Sequence, residues 1–327
     1  MRIALFLILM LTVLGADLNA ETRARRGFAQ DEGARYFNDY RYEKALEYFE
    51  KEIGARRDDA ELWVKMAVAY YETGNATRAI ESCKKALEID PEYEPAYYCL
   101  VKYYLRKGYS GAAKSFYDRA MSVQTESAEG YYYIGMIILE FDASPSDAMP
   151  FFKKAIEADP GYIEAYSELA RAYGVLGEKE EAKDVLSKAI RIDPYSSSPK
   201  RTMGELYHGT KEAIPHYLKA LEIKPFDVRA HLLLAETYTA LKEYEEAKNH
   251  CYEAINRNPY DPDGYYAIAA LYAITGEHNL SQINMKKAVE LYQEQGDQKS
   301  ASRAAERLGS SLKELSSPDK EESKTDK

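Results

Sequence analysis

Residues 60–93 read AELWVKMAVAYYETGNATRAIESCKKALEIDPEY. Trp63, Met66, Ala67 and Tyr70 fall on one face of a helix, at the three- and four-residue spacing that brings side chains together. Gly74 stands just past that helix, where a left-handed residue ends it cheaply. Ala79 and Ala86 mark one face of a second helix, and Asp90-Pro91 stops it, because the residue before proline is pushed out of helical geometry. The stretch is a helix–turn–helix unit.

The same order recurs along the chain, at 26–59, 60–93, 94–127, 128–162, 163–196, 197–227, 228–261 and 262–295. A tyrosine sits seven residues after the leading position at Tyr70, Tyr104, Tyr173, Tyr207, Tyr238 and Tyr272. Small residues such as Ala67, Ala79 and Ala86 let two helix backbones approach where a larger side chain would overpack. The first copy is worn, with Glu52 in place of alanine and Arg57 in place of proline, as suits a terminal unit with one unpacked face. The sixth has a shortened turn, and Lys200 replaces its leading aromatic, which reads either as a hinge or as harmless drift. Pro150 and Pro215 each follow a second-helix alanine by two residues, which predicts a late start for the second helix in units four and six.

Large–x2–apolar–small–x2–Tyr followed by Ala, Ala and Pro resembles the tetratricopeptide repeat. The expected fold is all-α: an α-solenoid of about eight helix–turn–helix units wound into a superhelix, with a C-terminal solvating helix at 297–315. Ala304, Ala305, Leu308, Leu312 and Leu315 give that last helix its apolar face, whereas 316–327 has no apolar residue and is expected to be disordered.

Residues 1–20, MRIALFLILMLTVLGADLNA, stand outside the pattern. The apolar run matches a signal peptide in length, though neither Ala16 nor Ala20 makes an ideal cleavage site, so a membrane anchor stays open. Arg23, Arg25 and Arg26 would favour a cytoplasmic location for the repeats behind an anchor. Asn75-Ala76-Thr77 and Asn279-Leu280-Ser281 match the glycosylation acceptor pattern and read as ordinary turn residues.

The net charge of −10 argues against nucleic acid as a partner, since phosphate contacts call for a basic face. Thirty tyrosines against one tryptophan and nine phenylalanines suit half-buried positions between stacked helices, where an apolar ring packs and a hydroxyl finds a partner. Cys83, Cys99 and Cys251 have no metal or disulfide spacing and read as small buried hydrophobes. The five histidines form no ligand motif, and neither a nucleophile elbow nor a phosphate-cradling loop is present. No catalytic residue, metal site or cofactor is expected.

The resemblance implies that the first helix of each unit lines a concave groove holding peptides or partner helices. By register, one row of that face is Val64, Tyr98, Tyr132, Ser167, Arg201, Leu232 and Tyr266. A second is Val68, Lys102, Met136, Arg171, Glu205, Glu236 and Ala270, and a third is Tyr71, Leu105, Leu139, Gly174, His208, Thr239 and Ala273. Tyr98, Lys102, Arg106, Tyr132, Arg171 and Arg201 are the candidate partner-binding residues, because cations beside aromatics suit a segment carrying carboxylates or rings. The Lys and Asn clamp of chaperone-tail-binding family members is not matched, since these rows lack the asparagines. The expected function is a non-enzymatic, protein-binding scaffold or adaptor, exported from the cytoplasm and envelope-associated. Two alternatives stay open: a membrane-anchored cytoplasmic scaffold, and an accessory protein for polysaccharide assembly or export, since tyrosine-rich grooves can stack on sugars.

Overall fold

A computed structural model describes residues 32–316, with side chains as far as 309. The expected signal or anchor at 1–20, the arginines behind it and the polar tail from 317 onward lie outside the described residues. Within them the chain is all-helical, without a strand. Unit one pairs α1 (32–38) with α2 (Tyr42–Glu52); unit two pairs α3 (Ala60–Glu72) with α4 (Ala76–Ile89). Unit three is α5 (Glu94–Arg106) and α6 (Ser110–Ala120), and unit four is α7 (Ala128–Phe141) and α8 (Pro145–Ala158). Unit five is α9 (Ile163–Val175) and α10 (Lys179–Ile192), and unit six is α11 (Ser198–Glu205) and α12 (Ala213–Ile223). Unit seven is α13 (Val228–Ala240) and α14 (Tyr244–Arg257), unit eight is α15 (Pro262–Thr275) and α16 (His278–Glu294), and α17 (Gln298–Ser316) comes last. This is an α-solenoid of helix pairs with one further helix at its end.

The alanine slots explain how the pairs close. Ala79, Ala113, Ala148, Ala182, Ala213 and Ala247, and one turn or two further on Ala86, Ala120, Ala155, Ala189, Ala220, Ala254 and Ala288, are all fully buried between helices. Ser281 replaces the first of these in unit eight and stays satisfied by donating its hydroxyl to the Ala269 carbonyl at 2.8 Å. Gly135 and Gly204 take the small slot of the first helix where the opposing ring is large. A Cβ on Gly135 would lie 2.6 Å from Phe152 Cε1, and one on Gly204 2.5 Å from Tyr217 Cε1.

The leading position has a second job that spacing alone does not show. Trp63 Nε1 donates to the Arg57 carbonyl at 2.9 Å, Tyr97 Oη to that of Pro91 at 2.7 Å, and Tyr166 Oη to that of Pro160 at 3.0 Å. Lys200 Nζ makes the same bond to Pro194, whereas in unit seven the Pro225 carbonyl accepts instead from Arg257 Nε at 2.6 Å and His231 Nε2 has no hydrogen-bond partner. Where the leading residue donates, its polar tip therefore fastens the start of one unit to the end of the unit before it. Lysine can replace an aromatic in unit six because the slot needs a donor as well as bulk.

Every turn between paired helices contains one left-handed residue: Gly74, Gly108, Gly177, Gly209 and Gly276, with Tyr40, Ala143 and Lys242 in the other three units. In most units the next amide closes the helix end onto the carbonyl of the recurring tyrosine, as in Asn75 N to Tyr70 O at 2.7 Å and Glu277 N to Tyr272 O at 2.8 Å.

Pro215 falls in the first turn of α12, which starts late at Ala213. The late start expected for unit four is not found: α8 begins at Pro145 and carries Pro150 inside it. Pro150 and Ser146 both face solvent, so water can hydrate the carbonyl that proline leaves without a donor, and the helix continues. Asn75 caps α4, whereas Asn279 lies within the first turn of α16 rather than in the inter-helix turn.

Cys83, Cys99 and Cys251 are free and buried, and Cys83 and Cys99 belong to the same core cluster. The core is continuous from Ala45 to Ile137 and then divides into smaller clusters through units four to eight. Ala301 and Ala304 of α17 close the last of these against Met285, Ala288 and Tyr292. None of the described helices is long and apolar enough to cross a membrane.

Candidate functional site

First helices of neighbouring units pack on one another, α5 on α7, α9 on α11 and α13 on α15, while the second helices lie outside them. The surface of α3, α5, α7, α9, α11, α13 and α15 is therefore the inner, concave one. Two cavities open on it. The larger, about 710 Å³, is bounded by α13, α15 and α17 and includes Leu232, Glu236, Thr239, Tyr266 and Ala270, all members of the register rows. Arg229, Arg303 and, from unit three, Arg106 add guanidinium groups to its wall. The smaller, about 420 Å³, lies between α9 and α11 against Arg171, Gly174, Val175, Glu205 and Leu206.

The six candidate residues divide into two groups. Tyr98 and Tyr132 both meet the Tyr133 ring, at 5.7 and 5.1 Å, and Lys102 Nζ lies 5.8 Å from the centre of Tyr98. Tyr132 also packs on Phe152 and Tyr162, so its ring belongs to the seam between units as much as to the groove. Burial pushes the Tyr98 phenol up to about 12, which keeps it neutral and able to donate.

The cations are engaged within the chain. Arg171 donates from Nε to Glu205 Oε2 at 2.7 Å, from Nη2 to Thr202 Oγ1 at 3.2 Å, and from Nη1 to Glu168. Arg201 pairs with Asp227, and Arg229 Nε lies 3.6 Å from Glu205. Burial works to raise the Glu205 carboxyl, but Arg171, Arg229 and Arg201 outweigh it and hold the group below the usual range. These links join units five, six and seven. Arg106 Nη1 reaches across to Asp297 Oδ2 at 2.9 Å, a pair separated by 191 positions. Arg106 lines the larger cavity and Arg171 the smaller; Tyr98, Lys102, Tyr132 and Arg201 line neither.

Two features had no reading in the sequence. His231 and His250 meet with their Nδ1 atoms 3.1 Å apart, and the His250 ring stacks on Tyr238. Their separation of 19 residues matches no ligand motif, and among the described residues no group of three or more His, Cys, Asp or Glu could hold a metal. Glu72, Asp261 and Asp263 converge where units two and eight meet. Burial first, then Asp263 and Glu72, push the Asp261 carboxyl up to about 8.

The tetratricopeptide repeat profiles match residues 60–93, 143–200, 210–271 and 262–295, together more than half of the chain. The Hsp70-Hsp90 organizing protein of Triticum aestivum is 25% identical over 259 residues, covering 77% of this chain and 37% of that protein. Protein O-mannosyl-transferase TMTC3 of Homo sapiens is 21% identical over 277 residues, covering 78% and 30%. The chain thus spans about a third of the length of these curated relatives. Among solved structures, yeast Tom70 superposes with a TM-score of 0.55 at 18% identity, over 85% of this chain and 60% of that one. The Cut9–Hcn1 hetero-tetramer of the APC/C gives 0.55 at 15% identity, over 87% and 55%. At such identities the likeness is one of fold.

Proposed function

Since this chain belongs to the tetratricopeptide repeat family, we propose that it is a non-enzymatic scaffold that binds segments of protein partners on its concave face. One observation carries the reading: both inner cavities are lined by the register rows, and the larger combines apolar side chains with exposed guanidinium groups. Leu232, Ala267, Ala270 and Ile274 suit an apolar side chain of a partner, and Arg229 and Arg303 beside them suit its carboxylates. Tyr98, Lys102, Arg106, Tyr132, Arg171 and Arg201 extend the same face through units three to six.

A photo-crosslinking residue at Leu232, compared with one at the outer position Lys183, tests this reading. Partners captured at 232 and competed away by Ala270→Arg are expected. Capture only at 183 would overturn it.

The site of action is part of the same proposal. The apolar run at 1–20 supports export and association with the cell envelope, and the arginines at 23, 25 and 26 support instead an anchor with the repeats in the cytoplasm. Cell fractionation with N-terminal sequencing separates the two: a soluble extracytoplasmic chain lacking residues 1–20 is expected, and an intact membrane-bound chain degraded only by internal protease overturns export.

A further inference from the structure

The superhelix brings its two ends together. Arg106 of unit three pairs with Asp297 at 2.9 Å, and Asn258 Nδ2 donates to the Glu72 carbonyl at 3.3 Å. Next to the ion pair, the Lys107 stem lies against Gly296, so closely that a Cβ there would come within 2.9 Å of it. Further along, Phe226 is flanked by Arg41 of unit one at 5.3 Å and Arg257 of unit seven at 5.6 Å. Lys224 lies over Tyr40 at 5.1 Å, and Tyr260 and Glu43 line the same cavity.

This seam differs in kind from the joints between successive units. Those bury apolar side chains in shared cores alongside their polar links, whereas the seam is built from one ion pair, single hydrogen bonds and cations over rings. It encloses a cavity of about 240 Å³ lined by Arg41, Phe226, Asn258 and Tyr260, among others. It also gathers three carboxylates, Glu72, Asp261 and Asp263, on facing units. Arg106 keeps 43% of its side chain exposed while Asp297 keeps 4%, so the guanidinium end of the pair is open to water and to screening by salt. Asp297 is better placed: one oxygen caps α17 by accepting from Ser300 N at 3.0 Å, and the other takes Arg106.

We propose that this seam is a latch: the solenoid alternates between a ring closed by Arg106–Asp297 and an open superhelix, and opening gives a partner access to the inner face. The latch rests on the scaffold reading only for what opening admits. The opening itself is a property of the chain alone.

Spin labels at Tyr109→Cys and Gln298→Cys report it, because both positions are exposed, flank the seam, and the three native cysteines are buried. The distance distribution is measured in the full chain at low and high salt, and again with Arg106→Glu. A single short distance at low salt is expected, joined by a longer population at high salt and replaced by it in Arg106→Glu. Arg106→Met carries the same readout if the reversal lowers the melting temperature. One unchanged distance throughout, in variants with an unchanged melt, would overturn the latch and leave partner binding untouched. Loss of crosslinking at Leu232 would strike the scaffold reading and leave the distances standing.

Discussion

His231 and His250 face each other across α13 and α14, with Arg257 and Asp227 beside them and Tyr238 against the second ring. Burial, then Arg257 and then His250, lower His231 from 6.5 to about 4, while the Pro225 carbonyl and Asp227 act against the shift. Burial lowers His250 as well, with Arg257 adding to it and Glu246 opposing. The folded chain therefore holds both rings neutral where the unfolded chain takes up protons. Their contribution is complete above about pH 6.5 and is lost as the pH falls towards 4. His231→Tyr removes a titrating ring from the pair, and its melting temperature should fall less than that of the native chain between pH 6.5 and 4. Equal slopes in the two proteins would show that the pair does not titrate in this range. Neither ring announced this in the sequence, because a leading-slot histidine and a second-helix histidine meet only when the pair of helices closes.

The turns between paired helices offer a test at the scale of the element. Lys242 holds a φ of 64° in unit seven, at the place where five other units have glycine. A side chain in that region costs about 1–2 kcal/mol, part of which glycine returns through its greater freedom in the unfolded chain. Lys242→Gly should therefore raise stability by up to about 1 kcal/mol in denaturant titration. A loss of stability would mean that the lysine stem contributes more than the backbone strain removes. Gly74, Gly108, Gly177 and Gly276 could be read directly, since glycine just past an apolar-periodic run is itself the signal. Tyr40, Ala143 and Lys242 could not, because their conformation is imposed by the pairing of the flanking helices. Pro150 shows the opposite failure: local propensity spoke clearly, and solvent exposure on the outer face overruled it.

Across the whole molecule, unit six is short, yet it is tied on both sides through Glu205, which Arg171, Arg201 and Arg229 share. Hydrogen bonds to a charged group contribute about 1.5–3 kcal/mol, so Glu205→Gln should destabilise by roughly that amount. Hydrogen exchange should then quicken in units five to seven before units one to three, whose core is continuous. Uniform acceleration along the chain would contradict this division. The register rows were legible because side chains three and four apart share a helical face. The pairing of their cations was not, since Arg106 and Asp297 lie 191 positions apart and meet only after small rotations have accumulated over five units. The backward hydrogen bond from Trp63, Tyr97, Tyr166 and Lys200 carries a consequence for biosynthesis. Tyr97 can secure the Pro91 carbonyl only once the first turn of the following unit exists, so at these junctions the newest unit of a growing chain ends unfastened. A ribosome, or a translocation channel passing the chain N-terminus first, would release a solenoid that locks one unit behind its own emergence.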